Sequence, residues 1–125
     1  MISLIVDEAY AFDYLSILSL KIVDERSEAS YVECLNYLRS QFTPQMWATL
    51  FHSKEYQRIK DANLQTFMVV DKAKRGEVSA KEVDYCNYQR YLAKQVFQKT
   101  FFSVPLSETK IGYDVYDKSA EKMNS

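Results

Sequence analysis

The sequence predicts an all-α fold, an antiparallel bundle of four to five helices with a long C-terminal helical hairpin and an irregular tail. Three observations carry this expectation. Only two glycines and two prolines occur in 125 residues, so the backbone has few places at which it must turn sharply or stop. Apolar residues recur at offsets of three and four through most of the chain, the spacing of one helical face. Serine, threonine and aspartate stand just ahead of these stretches, where a helix needs acceptors for its free amides. At 47% hydrophobic the chain can bury one core without a disulfide or a metal. Residues 1–103 are therefore expected as a single helical domain, with 104–125 as an irregular tail that packs on it or is partly disordered.

The elements follow in order. Ile2 to Val6 reads as an apolar arm packed on the outside of the bundle, because one strand alone makes no sheet. Asp7 is placed to cap a first helix whose apolar line is Ala11, Leu15, Leu18 and Ile22, with Asp13 and Lys21 facing outward and the cluster Asp24, Glu25, Arg26 ending it. Ser30 followed by Glu33 has the spacing of a capping box, so a second helix is expected from there, with Tyr31, Leu35, Leu38 and Phe42 packed against the first. Thr43-Pro44 supplies a cap and a proline at the first helical position, opening a short helix that carries Met46, Trp47, Leu50 and Phe51. A helix over 53–75 follows, with Tyr56, Ile59, Asn63, Phe67 and Val70 along one side. Its end is marked by Lys72, Lys74 and Arg75, which complement the helix dipole, and by Gly76, which can take the left-handed conformation. Ser79 with Glu82 forms a second capping box, giving a tight hairpin to a helix that runs to Phe102 and is stopped by Pro105. Beyond it Ile111, Tyr113, Val115 and Tyr116 are expected to lie extended against the bundle.

Composition bounds the function classes. Sixteen basic and seventeen acidic residues leave a net charge of -1, so no global field draws the protein to nucleic acid or to an anionic membrane, and neither partner is expected. Cys34 and Cys86 lack the paired spacing of a zinc or redox motif and read as small apolar residues on helices. His52 is the only histidine, which argues against a metal centre or a cysteine-histidine pair and favours a capping or surface role. No metal, cofactor or catalytic residue is assigned. The start Met1-Ile2-Ser3-Leu4-Ile5-Val6 is too short for a membrane span and lacks a basic leader, so a cytoplasmic protein is expected. Ten tyrosines and seven phenylalanines exceed what one helical stripe per helix can bury, and residues such as Tyr85, Tyr88, Phe101 and Phe102 leave apolar surface for a homodimer or another protein partner.

One polar line stands out. Asn87, Arg90 and Lys94 share a face of the last helix among aromatic residues, and across the hairpin Asn63 and Asp71 lie on the facing helix. These five residues are the candidate ligand site, an amide and cation set suited to a small anion. The competing reading is a solvated face, or an internal network in which Asp71 pairs with Arg90, with nothing bound. The hairpin register is expected to place Asn63 near Lys94 or Gln98.

The same residues, with Phe12-Asp13-Tyr14-Leu15-Ser16-Ile17-Leu18-Ser19-Leu20-Lys21 ahead of them, resemble a family of small helical bacterial and phage proteins of unknown function. The resemblance covers roughly residues 12 to 94. Tyr14 stands where that family has a lysine, Phe67 where it has a tryptophan, Val70 where it has a glutamate and Tyr88 where it has an aspartate. It implies a helical accessory protein of phage or bacterial origin, in the host cytoplasm if phage-encoded. The leading helix with Glu25-Arg26 is also faintly similar to small all-helical chorismate mutases, which implies an anion clamp drawn from Arg26, Arg39, Arg90 and Lys94. The first helix lacks the inward arginine that such a clamp needs. A non-enzymatic binding or assembly module is the favoured reading, and a binder of small anionic metabolites, or an enzyme acting on them, in the groove between the two long helices is the alternative.

Overall fold

The computed structural model describes residues 2–107. Five α-helices and no strands are present among the described residues: α1 (Glu8–Leu20), α2 (Glu25–Ser40), α3 (Pro44–Phe51), α4 (Lys54–Lys74) and α5 (Ala80–Phe102). The long α4–α5 hairpin is the spine. Helix α1 packs against both of its arms, α2 lies on α1, and α3 closes the end near the start of α4. The expected packing of Ile111, Tyr113, Val115 and Tyr116, and with it most of the 104–125 tail, lies outside the described residues.

The core gathers around Phe12. Its fully buried ring meets Phe97 at 5.0 Å, Tyr56 at 5.4 Å, Trp47 at 5.6 Å and Phe42 at 6.1 Å between centroids, so one side chain of α1 touches α3, α4 and α5 and the turn after α2. Tilted and edge-on geometries of this kind match the quadrupoles of the rings. Burial also pushes the Tyr56 phenol above its ordinary range, with smaller contributions from Tyr31, Cys34 and Asp13, so the ring stays neutral in the core.

Several predicted boundaries hold. Thr43 accepts the amide of Met46 at 3.1 Å with Pro44 opening α3, and Ser53 accepts that of Tyr56 at 3.0 Å to open α4. The α4 end closes as the charge pattern and Gly76 predict. Gly76 has φ 73°, its N–H donates to the Ala73 carbonyl at 3.0 Å, and the Glu77 N–H donates to the Lys72 carbonyl at 2.9 Å. This pair of bonds is the Schellman closure. Helix α5 ends at Phe102 with Ser103 left-handed, two residues before Pro105.

Other expectations are corrected. Helix α1 stops at Leu20, and α2 begins at Glu25 rather than at Ser30, because the capping box forms at Asp24 and Ser27, upstream of the expected Ser30 and Glu33. Ser27 N–H donates to the Asp24 carboxylate at 2.8 Å while Asp24 N–H donates to the Ser27 hydroxyl at 3.0 Å. Ser30 sits inside the helix, its hydroxyl donating to the Arg26 carbonyl. The Ser79 hydroxyl makes no cap bond to α5, because its own backbone carbonyl takes the Glu82 N–H at 3.1 Å. The arm is not packed. Ile2, Leu4 and Ile5 are exposed, since the chain is first anchored at Asp7, whose carboxylate accepts the N–H and hydroxyl of Ser107. The buried face of α1 is Ala9, Phe12, Asp13, Leu15 and Ser16, so Asp13 faces inward and Ile22 outward.

The Asp24 box carries a pH dependence. Ser27, through its amide and then its hydroxyl, holds the Asp24 carboxyl below its ordinary value in the folded chain. The box therefore contributes fully above the unfolded carboxylate range and is lost as pH falls through the depressed folded value. Carbon chemical shifts at Ser27 and Glu28 should lose helical character over that acid range. The same shifts in Asp24→Asn, which keeps an acceptor without a charge, should not titrate.

Candidate functional site

The polar line on α5 meets α4 and α1 in one network. Asn63, the buried amide at the middle of α4, donates from Nδ2 to Asp13 Oδ1 at 2.8 Å and to Ser16 Oγ at 3.0 Å. Its Oδ1 accepts the Nε–H of Arg90. The Arg90 guanidinium also donates from Nη1 to Asn87 Oδ1 at 3.2 Å and from Nη2 to Asp13 Oδ2 at 3.1 Å. Both carboxylate oxygens of Asp13 and both polar atoms of the Asn63 amide are thus used, and three helices are tied by side chains alone. No buried side-chain nitrogen or oxygen among the described residues lacks a partner.

Of the five predicted site residues, the structure brings together Asn63, Asn87 and Arg90. Asp71 is exposed and takes no part, because Arg90 pairs with Asp13 instead. The helical register puts Asn63 opposite Arg90 rather than opposite Lys94 or Gln98. Lys94 lies one turn further along α5, buried, with its ammonium 5.8 Å from the centroid of the Tyr10 ring. Such a contact satisfies part of a buried cation.

Sequence reasoning missed Asp13, Ser16 and Gln98. Asp13 and Ser16 fall on one face of α1 with Ala9 and Phe12, at the offsets three, four and seven that mark an inward stripe. Gln98 caps α1 from a distant helix. Its Oε1 accepts the buried Ala9 N–H at 2.9 Å and its Nε2 donates to Glu8 at 3.3 Å, so the amide that the Asp7 side chain leaves open is satisfied across the bundle. A bond across this sequence distance has no local signal.

The network is an ion pair closed on itself. Side-chain exposure is 24% for Arg90 and 7% for Asp13, so the two charges neutralise each other largely away from water. No group of three or more histidine, cysteine or acidic side chains with metal-binding geometry occurs among the described residues. Burial raises both thiols above their ordinary value, with Glu33 adding to the effect at Cys34 and Glu82 at Cys86, which disfavours the nucleophilic thiolate. His52 is the exposed C-cap of α3, its ring edge-on to Phe51. Arg26 and Arg39 are exposed on α2, Arg39 bonded to Asn36, so the four cations of an anion clamp do not converge.

No family model matches the chain, and neither a curated protein nor a solved structure matches it. The resemblance over residues 12–94 therefore transfers no residue role to this chain. No helix of the described residues is long and apolar enough to cross a membrane.

Proposed function

We propose that the protein is a non-enzymatic assembly module that contacts its partner through the outer half of the α4–α5 hairpin, and that this partner is a second copy of itself. The observation that carries the reading is the distribution of burial along the hairpin. Buried residues occur up to Thr66 on α4 and from Tyr88 on α5, whereas not one residue from 67 to 87 is buried. Two helices in contact share one seam and leave the rest of their surface to water, so a projecting pair gains stability from a further layer. On that outer half Met68 and Tyr85 are 51% and 50% exposed, and Leu64, one turn before Met68, is 44% exposed. Val69 and Cys86 line a shallow apolar groove between the helices beside them. An isologous pairing of two hairpins would complete a four-helix arrangement.

The Asp13–Arg90 network supports the same reading, because its carboxylate is tied to Asn63 and Arg90 and so is not poised to act as an acid or base on a substrate. Two free thiols fit a reducing compartment, and we assign the protein to the cytoplasm, that of the host if it is phage-encoded. Sedimentation equilibrium tests the proposal. Wild type should show a reversible monomer–dimer equilibrium, and Met68→Lys, at an exposed position, should raise its dissociation constant at least tenfold without lowering the melting temperature of the monomer. A monomer at every concentration up to the millimolar range would sink it.

A further inference from the structure

A second surface points to a different partner. Helix α1 stops at Leu20 while α4 runs on to Lys74, so the inward stripe of α4 outlasts the helix that covers it. The result is a groove of about 270 Å³ walled by Ile17 and Leu20 on one side and Phe67 and Val70 on the other. Phe67, which the periodicity places inward, is 48% exposed for this reason. Two cations border the groove, Lys21 at the end of α1 and Arg90 from the network.

Their charges are not equivalent. Arg90 is offset by Asp13, yet among the described residues three of its five N–H donors are spent, leaving one on each terminal nitrogen. Lys21 is exposed and has no ion-pair partner among the described residues. Asp71 follows Val70 in the chain but does not line the groove. The groove therefore combines apolar walls with one uncompensated positive charge and two spare guanidinium donors. The space lies near the lower end of small-molecule sites, about 300 Å³.

From this geometry we infer that the groove between α1 and α4 binds an amphipathic monocarboxylate, its carboxylate between Lys21 and the free Arg90 donors and its hydrocarbon chain against Ile17, Leu20, Phe67 and Val70. A single negative charge matches the single uncompensated cation, and a doubly charged ligand would bring a charge without a partner. The inference is independent of self-assembly.

Titration of the full-length ¹⁵N-labelled protein with octanoate, below its micelle concentration, tests it against two compounds of equal chain length, octanol and octylammonium. Octanoate should bind saturably, shift the amides of Ile17, Leu20, Phe67 and Val70, and bind at least tenfold more tightly than octanol, with octylammonium weakest. Lys21→Met keeps the length of the side chain at an exposed position and should bring octanoate down to the affinity of octanol while leaving octanol unchanged. Phe67→Ala should weaken both. Equal affinities for the three compounds, shifts located elsewhere, or an unchanged octanoate affinity in Lys21→Met would each overturn the assignment. Because the readout is local to the groove, its failure would leave the dimer proposal standing, and a monomeric protein would leave this one standing.

Discussion

Arg90→Met is expected to destabilise the fold by about 3 kcal/mol, the low end of the range for breaking a buried ion pair. The physical reason is what remains behind. Asp13 is 7% exposed and would be left, among the described residues, with the Asn63 amide as its hydrogen-bond partner, whereas water already reaches part of the guanidinium, which is 24% exposed. Asn63 and Asn87 would each lose a donor as well. Asp13→Asn should be milder, because Arg90 can turn towards solvent and the amide still accepts a bond. Combining Asp13→Asn with Arg90→Met should recover at least about 1 kcal/mol relative to the sum of the single changes, as contacting residues do. Urea unfolding of the four proteins measures the cycle. An Arg90→Met variant within about 0.5 kcal/mol of wild type would show that the network does not hold the three helices together.

Phe12→Ala should have the largest effect of any single truncation, about 4 kcal/mol. Its ring is fully buried and meets the rings of Phe42, Trp47, Tyr56 and Phe97 together. Removing it opens a cavity bounded by rigid rings on several elements, which cannot all collapse inward at once. A loss of this size consumes much of the roughly 5–15 kcal/mol that holds an ordinary domain, so thermal unfolding should shift by more than about 10 °C. Phe67→Ala is the internal comparison. Its ring is half exposed, and the loss should stay near or below about 1 kcal/mol. Comparable losses for the two variants would mean that the core is not centred on Phe12.

The two variants also mark where sequence reasoning succeeded and failed. The stripe Tyr56, Ile59, Asn63 was legible from its spacing, and its continuation to Phe67 was a sound extrapolation of helical geometry. It failed in burial because the covering helix ends early, and α1 ends early because Asp24 and Ser27 start α2 sooner than Ser30 and Glu33 would. Two sets of residues with capping chemistry competed within residues 24–33, and the local pattern alone did not rank them. Asp13 shows the reverse case. A charged residue on an apolar helix is ordinarily solvated, and only the presence of Arg90 and Asn63 on two other helices makes its burial tolerable.

Sequence alone therefore determined the helical class, the starts of α3 and α4, the Gly76 closure and the α4–α5 hairpin, because each depends on residues within one or two turns of one another. It also singled out Asn63, Asn87 and Arg90 as members of one polar set. Tertiary structure decided the rest: that Asp13 and not Asp71 is the counter-ion, that Gln98 caps α1, that Phe67 borders an open groove, and that no residue of the hairpin from 67 to 87 is buried. These are properties of where one helix stops relative to another, and side-chain reach across a bundle is set by packing register, to which local periodicity is blind.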